Sequence, residues 1–150
     1  MKAFADLSEL VRAEGTELGP TDWLEVTQER VNLFADATDD HQWIHVDPAR
    51  SADGPFGATI AHGLLTLSLL PHFMHQLYSV DNIAMAINYG FNKVRFITPV
   101  PVGKRLRARA RITDVIKLDS ALQATLVTTI EVEASSKPAA VIESIVRYVG

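Results

Sequence analysis

The chain has 150 residues, 47% of them hydrophobic and 21% charged, enough to bury one core, and a single domain over residues 1–150 is expected. Its formal net charge of −4 offers no basic field for a phosphate backbone, which argues against nucleic acid as a partner. There is no cysteine, which excludes disulfides, thiolate metal ligands and a cysteine nucleophile and leaves histidines and carboxylates for any acid/base work.

The N-terminal segment places Asp6 and Glu9 where a secretory signal needs an unbroken apolar stretch, so a cytoplasmic location is expected. Phe4, Leu7, Leu10 and Val11 recur at helical spacing, and the spacing predicts a helix that stops by Gly15. A Gly19-Pro20 turn and an extended Asp22–Val26 follow. Thr27 is a candidate N-cap for a helix with Val31, Phe34, Ala35 and Thr38 on one face, ending at Asp39-Asp40. The polar stretch from Asp39 to Phe56 carries Asp39, Asp40, His41, His45 and Asp47 before Pro48, then a turn-like Asp53-Gly54-Pro55, and is expected to be surface or site.

From Gly63 to Leu70 the chain is apolar on nearly every side, as a helix wrapped by other structure must be, and Pro71 should bend it. The apolar run from Gly63 to Met74 is broken by Ser68, Pro71 and His72 and falls short of the roughly 20 residues a membrane span takes, so no membrane partner is expected. Beyond it the period changes to two. Met85–Phe96 supplies strand material. Arg105, Arg107, Arg109 and Arg111 then alternate with Leu106, Ala108, Ala110 and Ile112, a half-buried strand with arginines on its wet face. Two more long strands, Leu122–Val132 and Ala140–Val149, are joined by a turn at Ser135-Ser136-Lys137-Pro138. Long antiparallel strands and one apolar helix make an α+β layer fold.

Chemistry concentrates in Asp40-His41-Gln42-Trp43-Ile44-His45-Val46-Asp47, where a carboxylate and an imidazole stand five positions apart across a short loop. Such a pair can share one water, taking a proton and returning one near neutral pH. On spacing alone a plainer account stands beside this one, in which Asp40 caps a turn and His45 is a satisfied surface histidine. A metal site made from His41, His45 and the neighbouring aspartates is weaker, because Trp43 intervenes in a loop and the Glu of an H-E-x-x-H helix is missing. Farther on, Thr59-Ile60-Ala61-His62-Gly63-Leu64-Leu65 opens the apolar helix. First-turn N–H groups lack intrahelical partners and Gly63 would let a ligand oxygen approach, although Gly63 could equally serve only close packing.

Three segments together resemble the MaoC-like family of (R)-specific enoyl-CoA hydratases and dehydratases: Asp40-x-x-x-x-His45-x-Asp47, Ile60-Ala61-His62-Gly63-Leu64-Leu65, and Ile87 to Val100 with Gly103 following. The resemblance implies a hot-dog fold, an antiparallel sheet wrapped around the helix from Gly63, in a homodimer that takes acyl-CoA near its interface. It implies Asp40 and His45 as the catalytic pair and Gly63 as the backbone donor to the thioester oxygen. Gln42, Ile60, Ala61, His62, Ala86, Ile87, Asn88 and Tyr89 are implied as substrate-binding positions. Gln42-Trp43 replaces the family's common Asn-Pro and removes a fixed φ from the loop.

The activity implied is hydration of a trans-2-enoyl-CoA to a (3R)-3-hydroxyacyl-CoA, reversibly, in fatty-acid metabolism, with no metal, flavin or nicotinamide. Two alternatives accompany it. A thioesterase on the same fold would aim water at the thioester carbonyl, and a non-catalytic acyl-thioester-binding subunit would carry the motif as a relic.

Overall fold

The computed structural model describes all of residues 1–150. Its first elements depart from the expected N-terminal helix. Lys2–Phe4 is a strand (β1), and only Leu7–Leu10 is helical (α1), capped by the Asp6 carboxylate accepting from Glu9 N–H. The apolar spacing of Phe4, Leu7 and Leu10 reports burial and not a continuous helix: Phe4 and Leu10 both enter the core, and β1 is pulled out of helical form by pairing.

Two short strands, Glu17–Leu18 (β2) and Leu24–Glu25 (β3), flank the expected turn at Gly19-Pro20. Gly19 has φ +101°, and a Cβ there would stand 2.9 Å from the Ala108 carbonyl oxygen, so backbone conformation and space both demand glycine. The next helix is Gln28–Thr38 (α2), with the Thr27 hydroxyl accepting from Arg30 N–H as its N-cap. Val31 and Ala35 are buried, Phe34 half-buried, and Thr38 exposed at the last turn. Asp39 ends the helix in the left-handed region, at φ 59°. The polar stretch that follows is not a bare loop, since it folds into two short helices, Trp43–Val46 (α3) and Pro48–Ala52 (α4).

The apolar helix runs Gly63–Ser68 (α5), breaks at Leu69, and continues as Leu70–Leu77 (α6). The break precedes Pro71 by two residues, where the proline ring has no N–H to give and crowds the preceding turn. Tyr78–Val80 (β4) then pairs in parallel with β1. The long strands are Met85–Phe96 (β5), Arg105–Lys117 (β6), Ala121–Val132 (β7) and Ala140–Val149 (β8). The six-stranded sheet has the order β2-β6-β7-β8-β5, with β3 also on β6, and all its pairs are antiparallel.

One core lies between α5–α6 and the sheet around Leu65, Leu69, Phe73, Leu106, Ile130 and Ile142, and a second around Leu10, Leu77, Ile112 and Leu126, with Met74 against both. Each fully buried side chain of this size contributes roughly 1.5–3 kcal/mol of hydrophobic stabilisation. The outer face of β6 carries the expected arginines, which pair with carboxylates: Arg105 with Glu133, and Arg107 and Arg109 with Glu131. No helix is long and apolar enough to cross a membrane.

Candidate active site

The left-handed turn at Asp39 reverses the chain at the end of α2 and leaves Asp40 exposed, with its carboxylate 3.4 Å from the Gln42 N–H. Gln42 has extended-type ψ and starts α3 without a side-chain cap, so its own amide plays no part in holding the loop. Trp43 fills the position where a proline φ was expected, and it is held by packing instead. The Arg50 guanidinium lies 4.2 Å over its ring, and the ring edge rests on Gly54. One helical turn then carries His45 inward, to 6% exposure.

The His45 Nδ1 is 2.7 Å from the Ile60 carbonyl oxygen. A carbonyl only accepts, so Nδ1 carries the proton of that bond and the neutral ring bears its lone pair on Nε2. His45 is also gripped through its backbone. Gln28 on α2 donates Nε2–H to the His45 carbonyl at 2.8 Å and accepts from the Thr59 hydroxyl at 2.6 Å, tying α2, α3 and the approach to α5 together. A carboxylate oxygen of Asp40 and ring nitrogens of His45 and His62 all lie within 4.8 Å of one another. Asp40 and His45 make no direct hydrogen bond, and that spacing leaves room for one water touching both.

A cavity of about 400 Å³ opens in front of His45, and Ile60, Ala61, Gly63 and Thr66 form part of its wall. Gly63 is the first residue of α5, so its N–H has no intrahelical partner. The Phe96 ring lies over it, close enough that a Cβ on residue 63 would meet Phe96 Cδ2 at 2.9 Å. The proposed pair, the Gly63 amide, Ile60 and Ala61 are therefore brought to one place.

The other expected positions divide. His62 is only 2% exposed and sits behind His45, its ring stacked on that of His45 with centroids 3.9 Å apart and 23° between planes. Ala86 and Asn88 line a different cavity, of about 390 Å³, between α6 and the β5–β8 pair. Its floor holds the Tyr78 and Tyr148 hydroxyls in a mutual hydrogen bond, and burial pushes both phenols above their ordinary range. Ile87 and Tyr89 are exposed, with Arg147 over the Tyr89 ring. Gln28, Thr66 and Phe96 join the site without having been marked as site residues from the sequence, and Thr59, which opens the segment before the apolar helix, joins it through Gln28. Phe96 falls in a quoted segment, but Gln28 lies 31 residues before its partner Thr59 and nothing local flags it.

Asp40, His45 and His62 are also the one cluster whose donor atoms approach metal-ligand spacing. The stacking works against a shared ion. Ring lone pairs lie in the ring plane, and two nearly parallel rings cannot both aim at an ion about 2.1 Å from each nitrogen.

Residues 9–135 match the MaoC like domain. The chain is 59% identical over 150 residues to 3-hydroxyacyl-thioester dehydratase Z of Mycobacterium tuberculosis, covering 99% of each. It is 45% identical over 147 residues to Nodulation protein N of Rhizobium meliloti, covering 91% of this chain and 85% of that one. Among solved structures, the (R)-hydratase from A. caviae involved in PHA biosynthesis superimposes with a TM-score of 0.71 at 26% identity, over 89% of this chain and 94% of that one. With the match running from α1 to beyond β7, and the sheet wrapped around α5–α6 as in that hydratase, the chain belongs to the MaoC-like dehydratase family and has its hot-dog fold.

Proposed function

We propose that this protein is a hydro-lyase that interconverts a trans-2-enoyl thioester and its (3R)-3-hydroxyacyl counterpart, with Asp40 and His45 as the acid/base pair. The observation that carries the reading is that an Asp40 carboxylate oxygen and a His45 ring nitrogen lie within 4.8 Å of each other without a direct hydrogen bond, while His45 and the unpaired N–H of Gly63 line one cavity. The name of the mycobacterial relative, a 3-hydroxyacyl-thioester dehydratase, and that of the hydratase structure support the substrate class.

In the hydration direction, Asp40 and His45 hold one water against the β-carbon. The His45 Nε2 lone pair and the Asp40 carboxylate are the two acceptors for its protons. As the water oxygen bonds to the β-carbon, the electron pair of the double bond moves toward the thioester, and its oxygen gains charge. Gly63 N–H donates to that oxygen, an interaction worth about 3–4 kcal/mol per donor in comparable sites. Return of a proton to the α-carbon completes the addition. Assignment of formal acid and base belongs to the pair jointly, because both groups accept from the same water.

The substrate is proposed to be a coenzyme A thioester, and the working unit a homodimer. β5 is a 12-residue edge strand, irregular at two points of its register, on which Met85, Ile87, Tyr89 and Phe91 are 45–55% exposed, the kind of apolar edge that soluble chains cover. The test is the loss of enoyl absorbance from crotonyl-CoA and a longer enoyl-CoA. Release of free thiol alongside the absorbance loss would make the protein a thioesterase. Acyl-CoA binding with neither signal would make it a carrier or scaffold subunit.

A further inference from the structure

We infer that His62, adjacent to the proposed pair but outside the cavity wall, is a positioning residue that holds Asp40 and His45 in register with Gly63. This inference rests on the reading of Asp40 and His45 as the working pair.

Three contacts converge on the His62 ring. Its Nε2 lies 3.0 Å from the backbone carbonyl oxygen of Asp40, which can only accept, so Nε2–H donates and pins the turn that carries the carboxylate. Its face stacks on His45 at 3.9 Å, setting the plane of the ring whose Nδ1–H is already committed to Ile60. Phe34 of α2 packs against it at 5.0 Å and 57°. The next residue in the chain is Gly63, so one residue links the turn that carries the carboxylate, the imidazole and the amide.

The remaining ring nitrogen marks this role as more than packing. His62 Nδ1 is buried and has no hydrogen-bond partner. A buried polar atom without a partner is unfavourable, and a hydrocarbon ring of similar shape would stack on His45 and Phe34 without that penalty. The imidazole is therefore explained by its Nε2 bond to Asp40, the one thing phenylalanine cannot supply. Displacing a catalytic group by about 1 Å costs on the order of 100-fold in rate, which is the scale on which a clamp of this kind acts.

The experiment compares His62→Phe, which keeps the stack and loses the donor, with His62→Gln, which keeps a donor near Nε2 and loses the ring. Crotonyl-CoA kcat, KM and thermal midpoint are measured for each. Expected for His62→Phe is a midpoint at or above that of the unaltered protein, kcat lowered about 100-fold and KM little changed. His62→Gln should recover part of that kcat. In an Asp40→Asn background, His62→Phe should cost almost nothing further, because a positioning residue acts through the group it holds.

A folded His62→Phe with full kcat would overturn the inference. So would a loss confined to KM, which would make His62 a substrate contact, or full additivity with Asp40→Asn. Asp40→Asn alone separates the two claims: if it retains full activity, the pair itself is misassigned, and if it is inactive while His62→Phe is not, only the positioning role fails.

Discussion

At residue 40 a carboxylate stands exposed on a left-handed turn, while five positions later an imidazole is almost wholly buried, and the proposed chemistry depends on that contrast. Removing either proton acceptor while keeping its shape, by Asp40→Asn or His45→Gln, should lower kcat about 100- to 10,000-fold. The double variant should be scarcely worse than the more damaging single one, as expected for groups that act as a unit, and enoyl-CoA absorbance kinetics check both points. A second, independent titration sits beside the site. His41 Nε2 is 2.8 Å from the Asp36 carboxylate, and that hydrogen bond, with the charge of Asp36, raises the His41 pKa above its ordinary 6.5. The folded value being raised, the pair contributes its small stabilisation below pH 6.5 and loses it as pH climbs through the folded pKa. A proton NMR titration should place the His41 midpoint above 6.5, and Asp36→Asn should bring it back down.

Among the elements, the bent α5–α6 helix is where packing and the proposed function share residues. Phe73 of α6 is fully buried, and Phe73→Ala should cost about 3–5 kcal/mol of unfolding free energy in chemical denaturation. At the other end of the same helix, Gly63→Ala brings a Cβ within 2.9 Å of Phe96 Cδ2. Phe96 is 49% exposed and can swing aside, so the fold should survive. The displaced ring and the added methyl then crowd the approach to the Gly63 amide, and kcat should fall about 100- to 1,000-fold, the effect of losing one oxyanion donor, with little change in thermal midpoint.

On the scale of the whole molecule, the sheet ends on one side in an uncovered β5 that exposes Met85, Ile87, Tyr89, Phe91 and Phe96. Self-association along this strand would cover them and bring Ile87 and Tyr89 out of solvent. Sedimentation should accordingly give the mass of two 16.5 kDa chains. Lysine at both Met85 and Phe91 should shift the protein to the mass of one, because like charges facing each other across a buried seam are costly.

Much of this was readable from residue order, for reasons that are local. The alternation through Arg105–Ile112 makes a strand with one wet face whatever surrounds it, and Thr27 caps the helix after it because the need for an acceptor at that point is intrinsic to helix geometry. The Asp40–His45 spacing and the Gly63 helix start likewise name groups that the folded chain brings together. Tertiary structure decided what depends on distant partners. β1 is a strand only because β4 lies alongside it 76 positions later, Lys2 facing Tyr78, and no periodicity in a short apolar pattern carries that fact. The same holds for Gln28, which grips His45 and Thr59 from another element, and for Ala86 and Asn88, which the β5–β8 register assigns to a second cavity. His62 shows the division within one residue: its identity was visible beside Gly63, but its place behind His45, and not in the cavity wall, exists only once α2, the Asp40 turn and α5 have packed together.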